Sequence, residues 1–303
     1  MNVVSFYRFT DVPEPGQLSG LLKVQCKKAN LLGTVLVATE GVNGTLAGDG
    51  RAIQAVLDWL QDFLSLDAPI DARWTESEEA PFRRLRVKVK AEIVTLGRPD
   101  IRPDELTGKH VGADEWNALL NDPETLVIDT RNHYEYEVGT FRNAIDPGTD
   151  SFRDFPEFAR KLAETEPDRK LAMFCTGGIR CEKATALMME LGFNEVYQLQ
   201  GGILKYLENV ADDENQWHGE CFVFDTRVAV DRDRVEGGYV QCHACRRPLG
   251  SADLASVDYR EGVSCPKCAG SLDSARARRL EERRKQVALA KDRGEHHIGA
   301  VLE

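Results

Sequence analysis

Residues 175–180 read Cys-Thr-Gly-Gly-Ile-Arg, a set of types that can hold and activate a sulfur anion. Lys170 to Cys175 is a short apolar run of strand character, and Arg180 to Leu191 reads as a helix closed by Gly192. Cys175 therefore stands at the carboxyl end of a buried strand, where open α/β sheets bind ligands. The chain then turns into a helix N-terminus, whose unpaired N–H groups and positive dipole end favour an anion. Gly177 and Gly178 allow the backbone to wrap closely around the sulfur, and Arg180 adds a cation. This combination depresses a thiol pKa and makes Cys175 a thiolate near neutral pH. Thr176, Gly177, Gly178 and Ile179 form the cradle that a bound group would meet. Cys181 follows one position into the helix. It either resolves an oxidised or persulfurated Cys175 as a disulfide or is a small side chain packed against the sheet. Ala184, Leu187, Met188 and Leu191 recur at helical spacing and read as core.

A second group of sulfurs has metal-ligand spacing. Cys242-His-Ala-Cys245 and Cys265-Pro-Lys-Cys268 are separated by nineteen residues, which suits a four-cysteine zinc ribbon with a closed structural site. Four reduced thiols would give the same pattern, and His243, between ligands, reads as a surface residue. Cys26 and Cys221 stand alone. Such grouping points to metal binding and catalysis in a reducing compartment rather than to a disulfide framework.

These residues need positioning elements, and 303 residues are enough for two or three domains, at roughly 100–200 residues each. The net charge of −11 argues against wholesale coating of nucleic acid and leaves room for local basic patches. Met1 to Thr10 has no charged segment followed by a long apolar one, so it does not read as a signal peptide. No apolar run approaches the roughly 18 residues that would span a bilayer. The expectation is a soluble, cytoplasmic chain with no membrane partner.

The expected fold class is α/β and α+β multidomain. Val3 to Phe9 is strand-like, Gln17 to Ala29 helical, Gly33 to Ala38 β-branched, and Glu40 to Thr45 rich in turn residues. Ile53, Val56, Leu57, Leu60 and Leu64 share one helical face, and Leu85 to Val94 alternates apolar and basic residues. The order β-α-β-β-α-β predicts a ferredoxin-like (acylphosphatase-like) sheet over 1–96. A Pro/Gly-rich linker is expected over 97–113, and a parallel-sheet α/β domain with helices on both faces over 114–212. A zinc-ribbon-like region built on the four paired cysteines follows over 213–273, and a basic helical tail over 274–303.

Two basic elements could meet phosphate. Arg83, Arg84, Arg86, Lys88 and Lys90 lie in one strand, where Arg86, Lys88 and Lys90 share a face. The tail carries Arg276, Arg278, Arg279, Arg283, Arg284 and Lys285. Either is a salt-dependent RNA contact or a solvated charged face.

Over roughly residues 110–212 the sequence resembles the rhodanese superfamily. Asp129-Thr-Arg131, Tyr134-Glu-Tyr136, Gly139, Ala144 and Pro147 look like its early motif, Cys175 to Arg180 like its active loop, and Gly201-Gly202-Ile203 like its last signature. Thr140-Phe141 departs from the His-Ile that many members carry. The resemblance implies that a six-residue Cys-to-Arg loop suits sulfur, whereas related phosphatases have one residue more. Ala38-Thr-Glu-Gly-Val-Asn-Gly-Thr45, Cys175-Thr-Gly-Gly-Ile-Arg-Cys-Glu-Lys183, Gly219-Glu-Cys-Phe-Val-Phe-Asp225 and the double CxxC occur in this order. That arrangement is similar to the bacterial tRNA uridine hydroxylase family, which makes 5-hydroxyuridine at the wobble position with dioxygen. The resemblance implies tRNA as partner, dioxygen as co-substrate, Cys175 as the active-site cysteine and a persulfide on it as intermediate. The sequence shows no flavin or nicotinamide fingerprint and no His/carboxylate iron triad, and it does not name the electron donor.

Three functions follow from these readings. The first is a tRNA wobble-uridine hydroxylase. The second is a sulfurtransferase that passes persulfide sulfur from Cys175 to an acceptor. The third is a non-catalytic zinc-ribbon RNA-binding adaptor, against which the intact loop weighs.

Overall fold

A computed structural model describes residues 1–77, 81–225, 227–233 and 235–293. The chain folds as two compact units. The first comprises Met1–His133 and Arg142–Gln216, the second Tyr134–Phe141 and the described residues from Trp217 onward. No helix among the described residues is long and apolar enough to cross a membrane.

The first unit begins with β1 (Asn2–Phe9), α1 (Pro15–Lys28), β2 (Leu32–Ala38), β3 (Gly41–Gly48), α2 (Gly50–Phe63), β4 (Asp71–Glu76) and β5 (Leu85–Val89). The sheet order is β4-β1-β3-β2-β5, with the first four strands antiparallel to their neighbours. This is the ferredoxin-like arrangement the sequence predicts, but with a different last strand. Asp71–Glu76 closes the pattern, and Leu85–Val89 is a fifth strand parallel to β2. Strand β4 is an edge strand whose residues are exposed or half-buried, so its Asp-Ala-Arg-Trp-Thr-Glu run carries no apolar alternation to read. Asp49 caps α2 by accepting from the Ala52 amide at 3.0 Å, and Ile53, Val56, Leu57 and Leu60 face the sheet. With Val4, Leu18, Leu22, Val35 and Leu46 they form one dry core.

The same unit continues with β6 (Lys109–Val111), α3 (Ala113–Asn121) and β7 (Thr125–Asp129). Beyond the single turn α4 (His133–Tyr136) and β8 (Gly139–Phe141), where residues 134–141 belong to the second unit, come α5 (Phe155–Thr165), β9 (Lys170–Phe174), α6 (Ile179–Glu190), β10 (Val196–Leu199) and α7 (Gly202–Asn209). A parallel sheet runs β6-β10-β9-β7. Its edge strand Lys109–Val111 lies in the stretch expected to be linker; three residues with one buried apolar side chain give too short a signal. Strand β9 is central and buried, which accounts for its continuous apolar run. Its cover includes Leu187 and Met188 of α6 and Phe155 and Ala159 of α5.

In the second unit β8 pairs antiparallel with β11 (Trp217–Gly219), and Phe141 packs edge-on against Trp217. The short hairpin of β12 (Cys221–Phe222) with β13 (Ala229–Val230), and that of β14 (Val240–Gln241) with β15 (Pro248–Leu249), precede the turn α8 (Ser251–Leu254) and the helix α9 (Ser274–Asp292). Asp273 caps α9 through the Arg276 amide at 2.7 Å. Of the α9 residues only Ala290 is buried, so this helix is the solvated basic element that its composition suggests. Residues 294–303 of the expected tail lie outside the described residues.

Candidate active site and candidate metal centre

Cys175 follows β9 directly, and α6 begins at Ile179, so the loop between them is only four residues long. Gly178 has φ +100°, a value that a side chain resists, and its amide donates to Cys175 Sγ at 3.0 Å. The Cys181 thiol, the Arg180 cation and the backbone of residues 180 and 181 act on the sulfur electrostatically, while the Cys181 amide itself donates to the Gly178 carbonyl at 2.9 Å. Burial, at 1 % exposure, pushes the Cys175 thiol up. The hydrogen bond from Cys181, the Arg180 cation and the backbone of these two residues outweigh it and bring Cys175 down to about 6. The same coupling, together with burial, raises Cys181, which stays a protonated donor. Arg180 is itself buried and donates to Thr176 Oγ1 at 3.3 Å, which fixes the cation beside the loop.

Two further segments hold this loop. Helix α7 offers its first amides to it: Ile203 N–H donates to the Cys175 carbonyl at 2.9 Å and Leu204 N–H to that of Thr176 at 3.2 Å. Gly202 makes this approach possible, because its φ is +66° and a Cβ there would lie 2.7 Å from the Thr176 carbonyl oxygen. Behind the loop, Thr130 donates to the Phe174 carbonyl at 3.0 Å and touches Cys181 Sγ at 3.6 Å. Its neighbours Asp129 and Arg131 form a fully buried bidentate pair, with Nε–Oδ1 at 2.9 Å and Nη2–Oδ2 at 2.6 Å.

The structure brings Cys175, Thr176, Gly177, Gly178, Arg180 and Cys181 together in one loop and the helix start that follows it. Ile179 differs: its side chain packs against Phe9, Ala38 and Ile93 of the first sheet domain, so what it can offer a ligand is its backbone. Arg86 and Lys88 are exposed on the edge strand β5 and Lys90 just beyond it. No hydrogen bond described for these residues joins them to the loop.

Sequence reasoning missed the polar groups that surround the loop. Glu182 is buried and its carboxylate accepts four bonds: Tyr7 hydroxyl at 3.3 Å and His110 Nε2 at 2.9 Å on Oε1, Thr107 hydroxyl at 3.1 Å and Gln198 Nε2 at 3.2 Å on Oε2. Next to it, Lys183 donates to Glu40 at 2.8 Å and to Glu92 at 2.6 Å, all three side chains being buried. Burial raises Glu40, and its bond to Lys183 opposes that rise. Glu40 and Lys183 belong to two separate sequence motifs, whose proximity no local pattern reveals.

In the second unit, Cys242, Cys245, Cys265 and Cys268 place their sulfurs within 4.8 Å of one another. The Sγ–Sγ separations are 4.0 Å for Cys242–Cys268, 3.7 Å for Cys245–Cys265 and 3.6 Å for Cys265–Cys268. A tetrahedron with zinc–sulfur bonds of about 2.3 Å has edges of about 3.8 Å, so the four sulfurs fit that ion as a closed structural site. Burial and the Cys242 sulfur push the Cys265 thiol well up, the disfavoured state of a thiolate cluster that a divalent cation would relieve. His243 lies between ligands and is not among the sulfur cluster.

Comparison with known proteins places these parts. The chain matches the family model described as UPF0176 acylphosphatase-like domain over residues 1–93 and the rhodanese-like domain model over residues 112–209. Among solved structures it is similar to a rhodanese-related protein from Thermoplasma volcanium, 25 % identical over 33 % of this chain and 91 % of that one, with a TM-score of 0.28. It is also similar to the human single-domain sulfurtransferase, 21 % identical over 34 % and 99 % of the two chains, with a TM-score of 0.29. A rhodanese-like domain from Anabaena is 17 % identical over 37 % and 80 %, with a TM-score of 0.31. An acylphosphatase-like domain of the UPF0176 type followed by a rhodanese-like domain is the architecture of the UPF0176 family, and the chain matches that architecture.

Proposed function

We propose that this rhodanese-family protein is a tRNA-modifying enzyme that hydroxylates the wobble uridine to 5-hydroxyuridine, with dioxygen as co-substrate. The observation that carries the reading is the Cys175 sulfur, brought down to about 6 by a ring of donors, in a chain of this architecture. A thiolate is a soft nucleophile. Added to C6 of a uracil ring, it converts C5 into an enolate carbon that can take up oxygen. The overall reaction puts one oxygen atom into the ring and reduces the other to water, with two electrons from a cellular donor. In this reading Cys175 is the nucleophile, Arg180 holds the charge, and Cys181 stabilises the thiolate and resolves an oxidised form. The exposed Arg86, Lys88 and Lys90 and the basic helix α9 are the surfaces through which tRNA phosphates would be met.

A second reading, persulfide carriage, is favoured by one observation. The loop is short, and its Gly178 amide donates to the single sulfur atom at 3.0 Å. Nucleoside mass spectrometry of tRNA from cells with and without this gene separates the two. Loss of 5-hydroxyuridine and its derivatives is the expected result. Loss of a thiolated nucleoside instead would assign the chain to sulfur transfer.

A further inference from the structure

We propose that Tyr7, Glu182 and His110 form a proton relay for the Cys175 loop, with Tyr7 as proton donor at the loop and His110 as the solvent end. Tyr7 belongs to β1, so the acylphosphatase-like domain supplies a residue to the rhodanese site. Its hydroxyl stands over Gly178, the residue whose amide binds the sulfur: a Cβ built on Gly178 would lie 2.9 Å from it. Glu182 lies one helical turn beyond Gly178, its amide bonded to the Gly178 carbonyl. A single carboxylate oxygen, Oε1, accepts from both the Tyr7 hydroxyl and His110 Nε2. The other oxygen is fixed by Thr107 and Gln198, and the Gln198 amide is tied to the Gly108 carbonyl at 3.0 Å. Glu182 is thereby held in one rotamer between a half-buried phenol and an imidazole that is 42 % exposed. Lys183 with Glu40 and Glu92 makes a separate tie between the two domains.

The surrounding charges set the resting state. Burial, and then the charges of Glu182, Asp71, Cys175 and Cys181, hold the Tyr7 phenol protonated. The Glu182 bond raises His110 against burial, with the charges of Glu182 and Asp71 acting the same way and Lys205 opposing. In the relay, the phenol proton passes to an anion that develops on the reactant at the loop. The His110 imidazolium passes a proton to the Glu182 carboxylate, which passes it on to the phenolate oxygen, and His110 regains its proton from a water molecule that leaves as hydroxide. One water-derived proton is delivered, and no group changes oxidation state. Only the identity of the acceptor, a uracil enolate oxygen, rests on the function proposed above.

The test uses no RNA, so its outcome is separate from that of the nucleoside measurement. Cys175 in the full chain is reacted with methyl methanethiosulfonate, whose sulfinate leaving group needs no proton. It is also reacted with bis(2-hydroxyethyl) disulfide, whose alkylthiolate leaving group does. Labelling of the Cys175 peptide is followed by mass spectrometry. Tyr7→Phe should slow the disulfide reaction about tenfold or more, toward the range for a lost general acid, and leave the thiosulfonate rate within about twofold. In the wild-type chain the ratio of disulfide to thiosulfonate rate should fall as pH rises through the His110 titration, and His110→Gln should flatten that fall. Equal slowing of both probes by Tyr7→Phe, or no change in either, overturns the relay. If Tyr7→Phe does not fold, the exposed His110→Gln variant decides by the same ratio: an unchanged pH limb overturns the proposal.

Discussion

Lys183 Nζ lies 2.6 Å from Glu92 Oε2, and both side chains are almost wholly excluded from solvent. With Glu40 at 2.8 Å, one ammonium of the rhodanese domain's α6 is held by two carboxylates of the acylphosphatase-like domain. Removing the cation would leave two buried carboxylates without a counter-charge. Lys183→Met should therefore cost about 3–5 kcal/mol, the usual penalty for a buried pair that loses one partner. The denaturant midpoint measures it; a loss within about 0.5 kcal/mol would show that the triad does not hold the unit together.

The Cys175 cradle sets a pH profile. A thiol brought down to about 6 is mostly ionised at neutral pH, whereas an ordinary cysteine titrates near about 8.5. The rate of Cys175 alkylation by iodoacetamide should rise with pH to a plateau, with its midpoint near 6. Arg180→Gln and Cys181→Ala each remove a group that stabilises the thiolate, so each should move the midpoint upward. Peptide-resolved alkylation across pH checks both. Cys175→Ser should abolish activity and Cys181→Ser weaken it.

Gly202 carries the approach of α7 to the loop. Its positive φ and its closeness to the Cys175 and Thr176 carbonyls leave no room for a methyl group. Gly202→Ala should destabilise by more than about 1 kcal/mol, the cost of alanine at a positive φ. It should also slow Cys175 labelling, because the amides of Ile203 and Leu204 can no longer reach the loop carbonyls. A variant with wild-type stability and labelling rate would refute this role.

The four-sulfur cluster should bind one zinc per chain in protein purified without chelator. Metal analysis gives the stoichiometry, and only a trace of zinc would refute the site. Cys265→Ser should lose the metal and loosen the second unit around Cys242, Cys268 and Leu249, which share its small core.

Affinity for tRNA should fall with salt. Replacing Arg86, Lys88 and Lys90 together with alanine should flatten the log–log salt slope by roughly 0.7–0.9 for each phosphate that the variant no longer neutralises. An unchanged slope would mean that this exposed edge does not meet RNA.

The sequence by itself determined whatever is local in the chain. Cys175, Gly178 and Arg180 lie within six residues of one another, so strand end, close turn and helix start can be read together and the thiolate inferred. The double CxxC is legible for the same reason, since the two sulfurs of each pair lie three residues apart on one turn. Helix α2 is readable because one apolar face repeats along it. Strands β4 and β6 are not, because a polar edge strand and a three-residue strand carry no periodicity. Only the tertiary structure decided what surrounds the sulfur. Tyr7 meets Glu182 across 175 positions and Glu40 meets Lys183 across 143. Those bonds come from packing one sheet domain onto the other, and a hydrogen bond formed at that distance in the chain leaves no pattern in either segment. The cysteine loop is thus complete in its own residues as a thiolate cradle, while its polar neighbours depend on the fold of a domain far from it in the chain.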